Sequence, residues 1–103
     1  MTNKEVVINF LNGKNAHSLN MRSENGRLYS YSTCIAEFII NGLGKKTLLI
    51  NKTKYSVTTS AKHQRPLYDN LWLVNCEIVE CKNIPQGRFS LTFKDGVPMG
   101  VEL

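Results

Sequence analysis

Asn51-Lys-Thr-Lys-Tyr-Ser-Val-Thr-Thr-Ser-Ala-Lys-His-Gln-Arg65 reads as a strand that runs straight into a helix start. Strand-like segments precede it and follow it, so the helix it opens must cover a sheet. The same stretch carries Lys52, Lys54, Lys62 and Arg65 and no acid. Hydroxyls crowd the junction at Ser56, Thr58, Thr59 and Ser60. Unpaired backbone N–H groups at a helix start, with hydroxyls and cations nearby, suit an anion. Ser60 acting only as a helix cap accounts for the same residues.

Working towards the N-terminus, Lys54–Thr59 and Thr47–Ile50 read as strands, or as one strand bent near Asn51. The turn Asn41-Gly-Leu-Gly-Lys45 precedes them. Thr33–Ile40 is rich in β-branched and aromatic residues and predicts another strand. Asn25-Gly26 supplies the positive φ angles of a tight hairpin between Leu19–Arg22 and Arg27–Tyr31. At the start, Thr2-Asn-Lys-Glu5 has the spacing of a capping box, followed by Val6, Val7, Phe10 and Leu11 at helical intervals. Asn12-Gly13 then closes the helix, with Gly13 in the left-handed conformation.

Working towards the C-terminus, the helix from Ser60 to about Asn70 meets Pro66. Proline fits only the first turn of a helix, so the helix breaks or restarts there. On a restart, Leu67, Leu71 and Trp72 face the core. Leu71–Cys81 alternates as a long strand, and Arg88–Phe93, the turn Lys94-Asp-Gly96 and Val97–Leu103 form a closing hairpin. Pro98 marks that last strand as an edge. The prediction is an α+β protein: an N-terminal helix and a second short helix packed on a mainly antiparallel sheet or small barrel.

At 103 residues the chain is one domain. No run of apolar residues is long enough for a transmembrane helix, and the N-terminus has no apolar signal core. A cytoplasmic protein without a membrane role is expected. Cys34, Cys76 and Cys81 are an odd set whose spacing does not match a zinc site, so reduced thiols and no metal or cofactor are expected. The net charge of +5 is unevenly placed: residues 1–64 carry +6 and residues 65–103 carry −1. That asymmetry suggests an anionic partner for the first part, although a solvated surface also explains it.

Tyr29-Ser-Tyr31, Thr33-Cys-Ile-Ala36, Ile50-Asn-Lys-Thr-Lys-Tyr-Ser-Val-Thr-Thr-Ser60 and Lys62-His-Gln64 resemble the core of a family of small uncharacterised proteins. Its members come from bacteriophages, prophages and gut bacteria. The resemblance covers residues 27–64 and leaves residues 65–103 as a C-terminal addition. It implies a phage or mobile-element setting inside a bacterial host and no particular activity. Small phage proteins without enzyme motifs often bind host machinery, including defence systems such as CRISPR effectors.

The partner-binding residues expected on the basic face are Lys45, Lys46, Lys52, Lys54, Tyr55, Lys62 and Arg65. Their partner is nucleic acid or a host nucleoprotein complex, and the protein then acts as an inhibitor of anti-CRISPR type. A possible anion site comprises Thr58, Thr59, Ser60, Lys62 and His63, where a nucleotide signal would be sequestered. Tyr29, Tyr31 and Tyr55 interleave with Arg27, Lys52 and Lys54 as a candidate surface for stacking bases and pairing phosphates, with Tyr29 and Tyr31, at i and i+2, on one face of a strand. A small hydrolase with His63 as base beside Ser56 or Ser60 is the third reading, but no acid or nucleophile elbow accompanies it. No catalytic residue is assigned.

Overall fold

A computed structural model describes residues 1–40, 44–53, 59–82, 84, 93–94 and 97–98, with backbone alone at 59–61, 93–94 and 97–98. Helix α1 spans Asn3–Leu11. Thr2 caps it as the sequence predicts. Its hydroxyl accepts from the Glu5 N–H at 3.1 Å, and the Glu5 carboxylate accepts from the Thr2 N–H at 3.1 Å. Those two bonds hold the Glu5 carboxyl below the ordinary carboxylate range. The helix ends in a Schellman arrangement: Gly13 N–H donates to Phe10 O at 2.9 Å and Lys14 N–H to Asn9 O at 2.8 Å. Gly13 has φ +77°, as this motif requires.

Six strands form one open sheet in sequence order: β1 Ala16–His17, β2 Met21–Glu24, β3 Arg27–Ser30, β4 Thr33–Ile40, β5 Lys46–Asn51 and β6 Glu77–Cys81. The first five pair antiparallel, and β5 and β6 pair in parallel. Asn25 and Gly26 turn β2 into β3 with φ +53° and +80°. The outer side of β2 is covered by β1, through Ala16 opposite Ser23 and His17 opposite Arg22. Strand β2 also starts later than expected, because Leu19 lies in the preceding bend and is 96% exposed. A separate pair joins β7 Phe93–Lys94 to β8 Val97–Pro98. The other strand and turn residues expected beyond 84 lie outside the described residues.

The parallel pair requires a crossover, which a helical segment supplies. A π-helical turn at Thr59–Gln64 leads into helix α2 at Arg65–Asp69, and a 3₁₀ turn follows at Leu71–Leu73. The expected restart at Pro66 is what the chain does. Pro66 lies in the first turn of α2, where its missing N–H is harmless. The Lys62 carbonyl, four residues earlier, cannot receive a bond from Pro66 and instead accepts from the Asn3 side-chain amide at 3.5 Å.

Both helices lie on one face of the sheet. Val6, Val7, Phe10 and Leu11 of α1 and Leu67 of α2 join Met21, Leu28, Ile35, Ala36, Leu48 and Ile50 in a single core. Phe10 meets Phe38 with ring centroids 4.9 Å apart. A β-bulge sets this face. Leu28 opposes Ala36 while Tyr29 opposes Cys34, so Ile35 is an extra residue and enters the same core as Ala36. On the other face Cys34, Ile39, Leu49, Cys81 and Ile84 form a second, smaller cluster with Tyr29 and Val79.

Two expectations fail in the crossover. The long strand Leu71–Cys81 is a 3₁₀ turn, an extended link and the shorter β6, because the chain must travel from the helix layer back to the sheet. Trp72 is not a core anchor. It is 77% exposed, while Leu71 and Leu73 on either side are half-buried against the core. Among the described residues no helix is long and apolar enough to cross a membrane.

Candidate functional site

The expected basic face divides in two. Lys45 and Lys46 stand at the start of β5, and Lys52 follows its end, roughly 20 Å away at about 3.3 Å per residue. The Lys46 ammonium lies over the Phe38 ring at 4.3 Å from its centroid, on the helix-covered face. Lys52 follows that far end of β5, and Lys62 and Arg65 flank Gln64, which bonds to it.

Buried polar bonds build that end. Gln64, buried, donates its Nε2 to Asn51 O at 2.9 Å and to Thr53 O at 3.0 Å. This pins the π-helical turn to the chain leaving β5. Asn51, also buried, donates its side-chain amide to Cys34 O at 3.3 Å and accepts from Thr53 N–H at 3.1 Å. The Thr53 hydroxyl donates to Lys82 O, and Lys52 N–H donates to Cys81 O at 2.7 Å. The end of β5, the helical crossover and the end of β6 therefore form one assembly that carries Lys52, Lys62 and Lys82, all exposed. Arg65 is exposed as well and lies 3.9 Å from the Asp69 carboxylate. Among the described residues no carboxylate pairs with Lys52 or Lys62.

His63 is fully buried, and its Nδ1 lies 2.5 Å from Ser30 Oγ. The sequence suggested Ser56 or Ser60 as its neighbour. Ser56 lies outside the described residues, as does the Ser60 side chain. The His63 Nε2 is buried and has no hydrogen-bond partner among the described residues. Burial, and then the charge of Lys62, push the imidazole pKa below its ordinary value. The buried imidazole ties β3 to the crossover, and among the described residues no acid pairs with it.

Of the expected stacking surface, Lys54 and Tyr55 lie outside the described residues, and Tyr29, Tyr31 and Arg27 do not share a face. Tyr31 leaves the strand at φ +55° in the β3–β4 turn, and its ring meets His63 at 5.5 Å on the helix side. Tyr29 lies on the opposite face, beneath the Arg22 guanidinium at 4.1 Å. Arg27 is buried and paired with Glu37 at 3.1 Å, so it serves the fold rather than a phosphate. The hollow bounded by Glu24, Asn25, Arg27 and Tyr29 is about 200 Å³, smaller than a usual ligand pocket. The proximal Cys34 thiol is pushed up to about 11 by burial, which keeps it protonated and unreactive.

Lys54, Tyr55 and Thr58 lie outside the described residues, as do the side chains of Thr59 and Ser60. Sequence reasoning overlooked Asn51, Thr53 and Gln64 as the residues that gather the cations, and Lys82 as a member of the group. Their signal was present as polar side chains at the mouth of an apolar strand, but only their long-range bonds give it meaning. Comparison with protein-family models, with curated proteins and with solved structures finds no match to this chain.

Proposed function

We propose that this chain is a non-enzymatic binding protein of a phage or mobile element whose basic end engages nucleic acid, free or within a host nucleoprotein complex. The observation that supports this reading is the convergence of Lys52, Lys62 and Lys82 on the one end organised by Gln64. Exposed ammonium groups on hydrogen-bonded backbone contact phosphates at the cost of ordering their own side chains alone. Lys45 and Lys46, at the opposite end, are a secondary contact. In a phage setting such a protein inhibits a host defence complex by covering its guide or target strand. Mimicry of DNA does not fit a chain of net charge +5.

The test is binding of the purified protein to fluorescent single- and double-stranded DNA and RNA across a salt series. Affinity should fall linearly on a log–log plot, with a slope of roughly 0.7 per phosphate contacted for single strands. The Lys52→Glu/Lys62→Glu variant should lose more affinity than Lys45→Glu/Lys46→Glu while melting at the wild-type temperature. No binding at low salt would overturn the reading. A rise in melting temperature with a free nucleotide would then favour sequestration of a small anionic ligand near His63.

A further inference from the structure

Tyr31 places a bulky side chain on a backbone conformation that favours glycine or asparagine. Its φ is +55°, and its N–H donates to Asn20 O at 2.8 Å in the β3–β4 turn. The ring meets the buried His63 imidazole at 5.5 Å between centroids, yet Tyr31 is 52% exposed. An aromatic that is half in solvent does little for the core to offset such a backbone, so its chemistry serves something else. Its surroundings are cationic. Strand β3 ends at Ser30 and β4 begins at Thr33, so the turn stands at one end of the sheet. Strand β5 reaches the same end, with Ile50 opposite Ala36 and the Asn51 amide bonded to Cys34 O, and Lys52 follows it. Ser18 Oγ donates to Asn3 Oδ1 at 2.7 Å, and Asn3 Nδ2 donates to Lys62 O at 3.5 Å, so the Ser18–Asn20 bend is tied to the turn that carries Lys62. Burial and then the Lys62 charge depress the His63 pKa, so that ammonium also lies close to the imidazole that Tyr31 touches. Tyr31, His17 and the exposed Leu19 line an open hollow of about 240 Å³. Arg22, which also borders it, is engaged with the Glu24 carboxylate at 3.4 Å and with the Tyr29 ring.

We infer that Tyr31 is a stacking platform for an unpaired nucleobase, with Lys62 beside it for the adjoining phosphate, so that the basic end selects single-stranded nucleic acid over duplex. The inference rests on the nucleic-acid reading above and adds the class of strand. Bases inside a duplex are stacked on one another and cannot reach a tyrosine face, whereas unpaired bases stack on aromatic rings whatever their identity. A hollow of this size is below that of a usual ligand pocket, which suits one flat ring laid on an exposed side chain rather than an enclosed ligand. Leu19 adds apolar surface next to that ring.

The experiment measures binding of the full chain to a short fluorescein-labelled oligothymidylate, to an abasic oligomer of the same length and charge, and to a duplex. Anisotropy is read across a salt series. The thymidylate should bind about tenfold more tightly than the abasic oligomer, the discrimination that one stacked base supplies, and more tightly than the duplex. Tyr31→Asn should erase the preference for thymidylate over the abasic oligomer. It should leave the salt slope unchanged, because no phosphate contact is lost. Its circular dichroism should be that of the wild type, since asparagine accepts the backbone at this position. Tyr31→Phe should keep the preference. The wild-type comparison of the two oligomers decides by itself should Tyr31→Asn fail to fold. Equal affinity for the two oligomers, a Tyr31→Asn protein that still prefers thymidylate, or tighter binding of the duplex would overturn the inference and leave the basic end as a phosphate-binding surface. No binding to any of the three would overturn the nucleic-acid reading and this inference together.

Discussion

Ser30 Oγ and His63 Nδ1 lie 2.5 Å apart, joining β3 to the π-helical turn across 33 positions of sequence. Both residues are buried, and the imidazole is held neutral by its surroundings. The pair fastens the crossover over the sheet and thereby sets where Lys62 and Gln64 stand on either side of it.

Stability should therefore depend on pH through His63. Its folded pKa lies below the unfolded value of about 6.5, so the unfolded chain binds the proton more readily. The contribution of His63 is fully present above about 6.5 and is lost as pH falls from there towards the folded value. Urea unfolding at a series of pH values should show this decline in the wild type. His63→Gln should be less stable at neutral pH and lack that component of the decline. Parallel profiles for the two proteins would remove His63 as the cause.

Glu37 and Arg27 form a buried pair whose members depend on each other. Glu37→Ala should destabilise the fold by about 3–5 kcal/mol, because the guanidinium is left buried beside an apolar side chain. The Arg27→Met/Glu37→Leu double variant should recover most of that loss, since a well-packed apolar pair replaces an ion pair with little penalty. Denaturant midpoints of the three proteins give the comparison.

Gln64 carries no charge, yet its loss should weaken nucleic-acid binding. Gln64→Ala removes the two hydrogen bonds from Gln64 Nε2 to the Asn51 and Thr53 carbonyls, at a cost of about 1–3 kcal/mol. The turn that carries Lys62 is then released from the end of β5. Affinity for single-stranded nucleic acid should drop while the number of lysines is unchanged. Unchanged affinity in a destabilised Gln64→Ala protein would show that the cations act without this scaffold.

Gly13 separates backbone strain from packing. A Cβ at this position would meet no atom within 4 Å, so steric contact contributes nothing. Gly13→Ala should still destabilise α1 by about 1–2 kcal/mol through its positive φ alone. Gly13→Asn should lose less, because asparagine tolerates the left-handed region. Thermal melts of the two variants should rank in that order.

Local chemistry was enough to determine the capped and terminated first helix, the Asn25-Gly26 hairpin, the restart at Pro66 and the α+β class. Each depends on residues within about one turn of one another, where capping, φ preference and hydrophobic period act directly. Tertiary structure alone decided what the polar residues of the central stretch do. His63 reads as a member of an anion site and Asn51 and Gln64 carry no assigned role, yet their partners prove to be Ser30, Cys34 and the end of β5. A bulge at Ile35 and a positive φ at Tyr31 moved side chains off the faces that simple alternation assigns. The exposure of Trp72 likewise follows from where the crossover turns back to the sheet. The physical reason is common to all of them: a buried polar group must find a partner, and which partner is within reach depends on strands brought together from distant parts of the chain.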